Sequence, residues 1–320
     1  MDEFELIRRF FRTGEQAAGV SVGIGDDGAV VTPAAQRDLV VVVDTLVEGV
    51  HYPEQTPAEH IGFRALAVNL SDIAAMAAKP RWMTLALTLS EAREEWLTNF
   101  SAGLFAAARL HGVSLIGGDT TRGDQTVISV QVIGEVHPGT ALTRAGAGAG
   151  DAIFISGTVG DAAGGLSLLQ QKSGPNRASD TDAALLSLRF YRPTARVDLG
   201  LAIGGIATAA IDLSDGLGTD LDKLLQASGV AATIERERLP LSESLMRTFG
   251  QEQALAFAMD GGDDYELCFT VTAADTKRVE VIAQRLDLPL TRIGEIEAGS
   301  GLTIKNGQRR PWQGGGYRHF

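Results

Sequence analysis

The stretch Val22–Val31 reads VGIGDDGAVV, and its reading decides the fold. Its glycines fit G-x-G-x-x-G, the turn that carries a pyrophosphate in Rossmann domains. With Val30 they also fit the longer G-x-G-x-x-G-x-V of protein kinases. The Rossmann turn needs a helix that begins in the glycines, because the helix N-terminus binds the pyrophosphate. The residues after Gly28, AVVTPAAQRD, are β-branched and interrupted by Pro33, so no full helix fits before the aliphatic run that starts at Leu39. Asp26 and Asp27 also stand where a phosphate would lie, and two like charges at 4 Å cost roughly 4 kcal/mol at an effective dielectric of 20. The chain contains no V-A-I-K, H-R-D or D-F-G, and no G-x-x-x-x-G-K-[ST]. The aspartates make sense if cations come first. Mg²⁺ prefers a few carboxylates, water and substrate phosphate to a full protein cage.

Other aspartates stand at strand ends or in glycine turns. They are Asp44 in VVVVDT, Asp119 in LIGGDTTRGD, Asp212 and Asp215 in AIDLSDGLGTD, and Asp263 and Asp264 in MDGGDDYEL. Asp72, in NLSDIAAM, differs: it lies inside an apolar helix pattern, where a charge needs a partner. Singly, each has an ordinary explanation as an Asx-turn, a helix N-cap or a satisfied buried acid. Together they fit a site for two or more Mg²⁺ ions and a polyphosphate.

Composition is compatible with that reading. The chain has 320 residues, enough for two domains, with 44% apolar and 21% charged residues, as in ordinary globular proteins. The 38 glycines fall in clusters between periodic segments, which predicts many tight turns rather than disorder. The net charge of −12, without any Lys/Arg block, argues against a nucleic-acid partner. The single cysteine, Cys268 in YELCF, fits a buried strand and a reducing compartment. MDEFELIRRFF lacks the apolar stretch of a signal peptide, and the longest aliphatic run is too short to span a bilayer. A cytoplasmic protein without membrane partners is expected.

Along the chain, apolar spacing predicts a first helix from Phe4 to Phe11, a buried strand at Leu39–Val43, a helix at Pro57–Ala78, and a strand at Arg81–Leu89. A helix at Glu91–His111, a short strand at Val113–Ile116 and a strand at Thr126–Val136 follow. AGAGAG, within Gly139–Gly150, has no periodicity and marks a boundary. The expected organisation is residues 1–138 as an N-terminal domain, 139–150 as a linker and 151–320 as a C-terminal domain. In the second half, strands are expected at Asp151–Ser156, Ala209–Leu213, Ala231–Glu235, Tyr265–Val271, Thr291–Ile296 and Leu302–Lys305. Gly157–Gly165 reads as a glycine-rich loop and Leu166–Gln171 as a helix body. Further helices are expected at Ala183–Phe190, Ala195–Ile203, after SDGLGTD to Ala227, and at Thr276–Leu286. Asn306-Gly307 is a hairpin signal. The alternation predicts an α/β or α+β class, a sheet covered by helices in each domain.

The segments GIGDDGA (Gly23–Ala29), DTLVEGVH (Asp44–His51), AVNLSDIAAM (Ala67–Met76), LIGGDTTRG (Leu115–Gly123), ALTR (Ala141–Arg144), IDLSDGL (Ile211–Leu217) and GGDDYEL (Gly261–Leu267), in this order, resemble the bacterial thiamine-monophosphate kinase family. That family belongs to the ATP-binding superfamily of aminoimidazole-ribonucleotide synthetase and selenophosphate synthetase. The resemblance implies Mg²⁺ at Asp27, Asp44, Asp72, Asp119, Asp212 and Asp215. It implies ATP contacts at Gly118, Asp119, Arg144 and Ser214, and thiamine monophosphate contacts at His51, Asp263 and Tyr317. It further implies a homodimer in which two N-terminal domains join their sheets into a barrel, with metal-assisted in-line phosphoryl transfer and no general base. Trp312 and Tyr317 in PWQGGGYRHF, with His51 and Tyr52, are the candidates for a thiazolium-facing aromatic surface.

Three positions depart from the family. Val42 and Val43 stand where Ser-Thr is common, so side-chain ligation there is lost. Asp263 stands where Glu is common and reaches one methylene less far. Two other readings stay open: another ATP-dependent synthetase of the superfamily, and an acidic Mg²⁺- or nucleotide-binding sensor without turnover.

Overall fold

The computed structural model describes residues 3–12, 18–170 and 178–315. Contacts divide the chain into two compact units, Met1–Ile73 with Ala78–Gly139, and Ala74–Ala77 with Thr140–Phe320.

The first unit opens with α1 (Glu3–Leu6), which continues as a π-helical turn over Ile7–Phe11 and buries Leu6, Phe10 and Phe11. Two short antiparallel strands, β1 (Val20–Val22) and β2 (Val30–Val31), flank the GIGDDG loop. No helix follows it, which removes the Rossmann reading on structural grounds. β3 (Asp38–Val47), α2 (Ala58–Ala75), β4 (Lys79–Leu89), α3 (Glu94–His111), β5 (Ser114–Arg122) and β6 (Val127–Val136) complete the unit. The strands form one sheet in the order β3-β6-β4-β5, with β4 and β5 parallel and the other pairs antiparallel. α3 is the crossover that a parallel pair requires. It carries Glu94 and Glu95 in its first turn, Arg109 and His111 in its last, and ends on Gly112 at φ 65°, charges and a left-handed cap that suit the helix dipole.

α2 and α3 touch backbone to backbone. A Cβ on Gly62 would stand 2.0 Å from the Phe100 carbonyl oxygen, and one on Gly103 would stand 1.8 Å from that of Glu59. Leu66, Leu70, Ile73, Leu97, Phe100 and Leu104 are then buried, as are Ile128, Val130 and Val132 of β6.

The expected burial of Leu39–Val43 is wrong. β3 is an edge strand ten residues long, and Leu39, Val41 and Val43 are 44%, 55% and 61% exposed, whereas Val40 and Leu46 are buried. Alternate side chains of a strand point to opposite faces, and only one of these faces is covered by the unit's own residues.

The second unit carries β7 (Ala152–Ser156), α4 (Asp161–Gln170), α5 (Asp180–Tyr191), α6 (Val197–Ile203), β8 (Ala207–Asp212), α7 (Leu217–Ser228) and β9 (Ala231–Glu235). α8 (Glu243–Phe249), α9 (Gln251–Asp260), β10 (Leu267–Val271), α10 (Thr276–Leu286), β11 (Leu290–Glu297), β12 (Gly301–Asn306) and β13 (Gln308–Pro311) follow. Its sheet runs β13-β12-β9-β11-β7-β10-β8, antiparallel except for β9 with β12. Ile153, Ile155, Ile211, Leu221, Leu224, Ile234 and Ile293 form the centre of the core, joined by fully buried Cys268. Gly307, at φ 66°, turns β12 into β13 at the expected hairpin.

α4 begins at Asp161, inside the stretch that reads as a glycine loop. Gly165 is the reason: its Cβ would lie 2.1 Å from the Leu186 carbonyl oxygen, so the glycine lets α4 lie against α5. α8 and α9 were not anticipated from the sequence. No helix among the described residues is long and apolar enough to cross a membrane.

Candidate active site

In the first unit two of the acidic residues, Asp44 and Asp72, meet beside Asn69, which is fully buried in α2. Its side-chain amide donates to the Ala65 carbonyl at 3.0 Å, and its amide oxygen accepts the Asp44 backbone N–H at 3.0 Å. That bond fixes β3 against α2 and brings the Asp44 and Asp72 carboxyl groups into hydrogen bonding with each other. Burial raises the Asp44 pKa above the ordinary carboxylate value, against the pull of the Asp72 hydrogen bond and of the nearby His51. His51 is oriented by the turn after β3: its Nδ1 accepts the Val47 N–H at 3.0 Å, which leaves Nε2 to carry the proton of the neutral ring. Two facing carboxyl groups can share a proton or a cation, but they cannot both stay charged and unaccompanied. Asp72 therefore has the partner that its apolar helix demands.

Asp27 lies in the exposed turn between β1 and β2, where its N–H donates to the Asp26 carboxylate at 2.9 Å. Asp119 is exposed in β5, which runs straight through GGDTTR rather than turning there. Gly118 leaves no room for a side chain, since a Cβ would stand 1.9 Å from the Leu85 carbonyl oxygen. Register carries Asp44 across the sheet to Val130, Leu85 and Gly118. Asp44 and Asp119 thus stand at opposite edges, three interstrand spacings or about 14 Å apart. The carboxylates of one such sheet cannot ligate a single ion from both edges.

In the second unit Asp212 ends β8 and is buried. The Ser214 carbonyl accepts the Asp263 N–H at 2.9 Å, so the SDG and GGDD loops are stitched together. The Asp215 N–H donates to Asp220 at 2.8 Å, and Lys223 Nζ donates to both the Asp215 and Asp220 carboxylates, at 2.6 and 2.8 Å. Burial raises the Asp220 pKa despite Lys223. Burial also works against the Lys223 charge, but its two aspartates outweigh that and hold its pKa above the usual value. Asp263 sits in the left-handed region at φ 73° and accepts a 3.4 Å hydrogen bond from the Tyr265 hydroxyl. Arg144 is exposed, and its carbonyl accepts the Ser228 hydroxyl at 2.9 Å. Tyr317 lies outside the described residues. The Trp312 indole lies across Gly218 at the start of α7, where a Cβ would meet it at 2.4 Å. It lines a cleft of about 540 Å³ with Asp222, Lys223 and Gln226. Asn69, Asp220 and Lys223 were not singled out from the sequence, although the last two follow SDGLG within one helical turn of each other.

Residues 25–136 match the AIR synthase related protein N-terminal domain, and residues 148–306 match the C-terminal domain. The chain is 44% identical to a thiamine-monophosphate kinase of Salmonella typhimurium over 99% of this chain and 98% of that one. The chain belongs to the thiamine-monophosphate kinase family. A crystal structure of thiamine-monophosphate kinase from Stenotrophomonas maltophilia is 48% identical and superposes with a TM-score of 0.88, covering 95% of this chain and 97% of that one. A structure of AaThiL complexed with AMPPCP and TMP, a thiamine-monophosphate kinase homologue from Aquifex aeolicus, is 33% identical with a TM-score of 0.77, covering 99% and 97%. Within the family frame, the Asp44–Asp72 pair has the chemistry of a Mg²⁺ subsite. Among the described residues no three or more His, Cys, Asp or Glu side chains gather where they could hold a metal ion, so within one copy Mg²⁺ would find at most two carboxylates together and would draw its remaining ligands from phosphates and water.

Proposed function

We propose that this protein transfers the γ-phosphoryl group of ATP to thiamine monophosphate, giving thiamine diphosphate and ADP, as a step of thiamine diphosphate biosynthesis. The observation that carries the reading is the half-buried Asp44–Asp72 carboxyl pair, held in place by Asn69 in a chain that matches kinases of this family along its whole length. Mg²⁺ is the cofactor that fits these donors: Asp27, Asp44, Asp72 and Asp119 of the first unit, and Asp212 and Asp215 of the second, would hold several such ions. Bound there, the ions would offset the repulsion between donor and acceptor phosphates and would stabilise charge on the transferred group. The acceptor phosphate oxygen is already anionic near neutral pH, so the protein supplies no general base. Gly118 lets the backbone approach ATP, Ser214 and Arg144 contact it, and Arg144 adds positive charge. His51, Asp263 and Tyr317 orient thiamine monophosphate, and Trp312 offers the thiazolium an aromatic face.

A homodimer completes the site. The β3 and β5 edges of the first unit's sheet are both open, and the open face of β3 is aliphatic. Joining β5 of one copy to β3 of the other, twice, closes an eight-stranded barrel with two-fold symmetry. Closure covers Leu39, Val41 and Val43 and brings the partner's Asp119 to the edge that carries Asp44. A cytoplasmic location fits the single buried cysteine.

Incubation of the purified protein with γ-labelled ATP, Mg²⁺ and thiamine monophosphate tests the activity. Labelled thiamine diphosphate is expected, and ADP release that does not depend on thiamine monophosphate overturns the reading.

A further inference from the structure

The loop Gly261–Glu266 alternates between two roles. Asp263 and Tyr265 hold left-handed backbone, at φ 73° and 52°, a costly conformation for residues with side chains that persists only where its surroundings enforce it. Between and after them, Asp264 and Glu266 point inward and are 3% and 0% exposed. Asp264 closes the N-terminus of α4: its carboxylate accepts the Gly160 N–H at 2.6 Å and the Ala162 N–H at 3.2 Å. Glu266 accepts two hydrogen bonds from Arg196, at 2.5 and 2.6 Å, one from Arg189 at 2.8 Å and one from the Ser156 hydroxyl at 2.5 Å. On the other side, the Asp263 and Tyr265 N–H groups donate to the Ser214 and Leu213 carbonyls at 2.9 and 2.8 Å. The loop has little freedom to rearrange, because a Cβ on Gly262 would stand 2.3 Å from the Ser214 carbonyl oxygen.

We infer that Asp264 is a positioning residue for the phosphoryl transfer: by clamping the N-terminus of α4 it holds Asp263 in its strained conformation against the Ser214–Asp215 loop. Asp264 itself has no route to the substrate, being buried beneath the loop it fixes. Without the two amides as partners, the strain at Asp263 is opposed only from the Glu266 end and by the bonds to Ser214 and Leu213, and Asp263 shifts away from the Ser214 carbonyl. The inference rests on the reading of Asp263 as a thiamine monophosphate contact.

A double-mutant cycle tests it. Asp263→Asn and Asp264→Asn are each expected to raise KM for thiamine monophosphate about tenfold, with a smaller change in kcat. If Asp264 acts through Asp263, the double variant is no worse than the worse single variant. Asn at 264 keeps the shape but turns an amide donor towards one of the α4 N–H groups. If that variant does not fold, Asp264→Glu takes its place in the cycle, keeping a carboxylate at the helix end while displacing the loop by one methylene, with the same non-additivity expected. An unchanged KM in the 264 variant beside a raised KM in Asp263→Asn overturns the positioning role and leaves the substrate contact standing. Effects that multiply in the double variant also overturn it. An unchanged KM in Asp263→Asn overturns the substrate contact itself, and the inference with it.

Discussion

Asp44 and Gly118 end the same row of paired residues, one on each edge of a four-stranded sheet, with Val130 and Leu85 between them. Asp119 is therefore out of reach of the Asp44–Asp72 pair within one copy of the sheet.

That separation predicts complementation between subunits. Asp44→Asn and Asp119→Asn should each lower kcat at least about a hundredfold, as removal of one group that stabilises transition-state charge commonly does. Mixed and re-equilibrated, the two inactive proteins form hybrid dimers in which one site has lost both residues and the other is intact. With random pairing, activity should return to about a quarter of the wild-type value. No recovery on mixing, with hybrid formation verified by native mass spectrometry, would remove Asp119 of the partner from the site.

Val43→Glu should abolish the proposed dimer without unfolding the chain. Val43 is 61% exposed in one copy, so a charge there costs the single chain within about 0.5 kcal/mol. Inside a closed barrel the same charge is buried without a partner. Sedimentation should report a monomer with unchanged far-ultraviolet circular dichroism and little activity. A variant that still sediments as a dimer sinks the barrel.

Gly103→Ala should destabilise the first unit even though alanine favours helices by about 1 kcal/mol over glycine. The added methyl meets the Glu59 carbonyl oxygen at 1.8 Å, and neither helix backbone can yield without moving its neighbours. A loss of about 3 kcal/mol, at the upper end for overpacked contacts, should appear in urea denaturation. A variant as stable as the parent would show that α2 and α3 do not touch in solution.

Asp264 gives stability a pH dependence of known sign. Burial, assisted by Asp161 of α4, pushes its carboxyl up to about 8, against the Gly160 and Ala162 amides and Arg189 of α5. The folded chain thus binds a proton that the unfolded chain releases near the ordinary value of 3.8. The contribution is full below that value and is lost as pH rises through about 8. The stability gap between wild type and Asp264→Asn should therefore be more favourable to wild type at pH 5 than at pH 8, by chemical denaturation. A gap that does not change with pH, or that widens towards pH 8, contradicts the shifted carboxyl.

Much of the architecture was legible because local signals agreed. β9 and α10 have the bounds that periodicity predicts, Ala231–Glu235 and Thr276–Leu286. Asp72 was legible as an acid in need of a partner, but not which partner: Asp44 meets it only when Asn69 bonds the backbone of a distant strand. The aliphatic run in β3 was misread because composition reports surface that needs cover, without saying whether the same chain supplies it. Gly164 and Gly165 were misread as loop because a glycine that permits close helix packing looks, in sequence, like one that permits a turn. The Lys223 bridge from Asp215 to Asp220 depends on where α7 starts, which SDGLGTD alone leaves open.

The amino end of α4 also bears on inhibitor design. Strand, glycines, helix: residues 152–170 have the outline that usually receives phosphate, and a geometric search for druggable nucleotide loops would nominate them. The chain has already placed its own acceptor there: the Asp264 carboxyl group takes the Gly160 and Ala162 N–H bonds. Phosphate mimics steered to that helix will meet an occupied seat, and chemistry aimed at this enzyme belongs on its aspartate-lined strands instead.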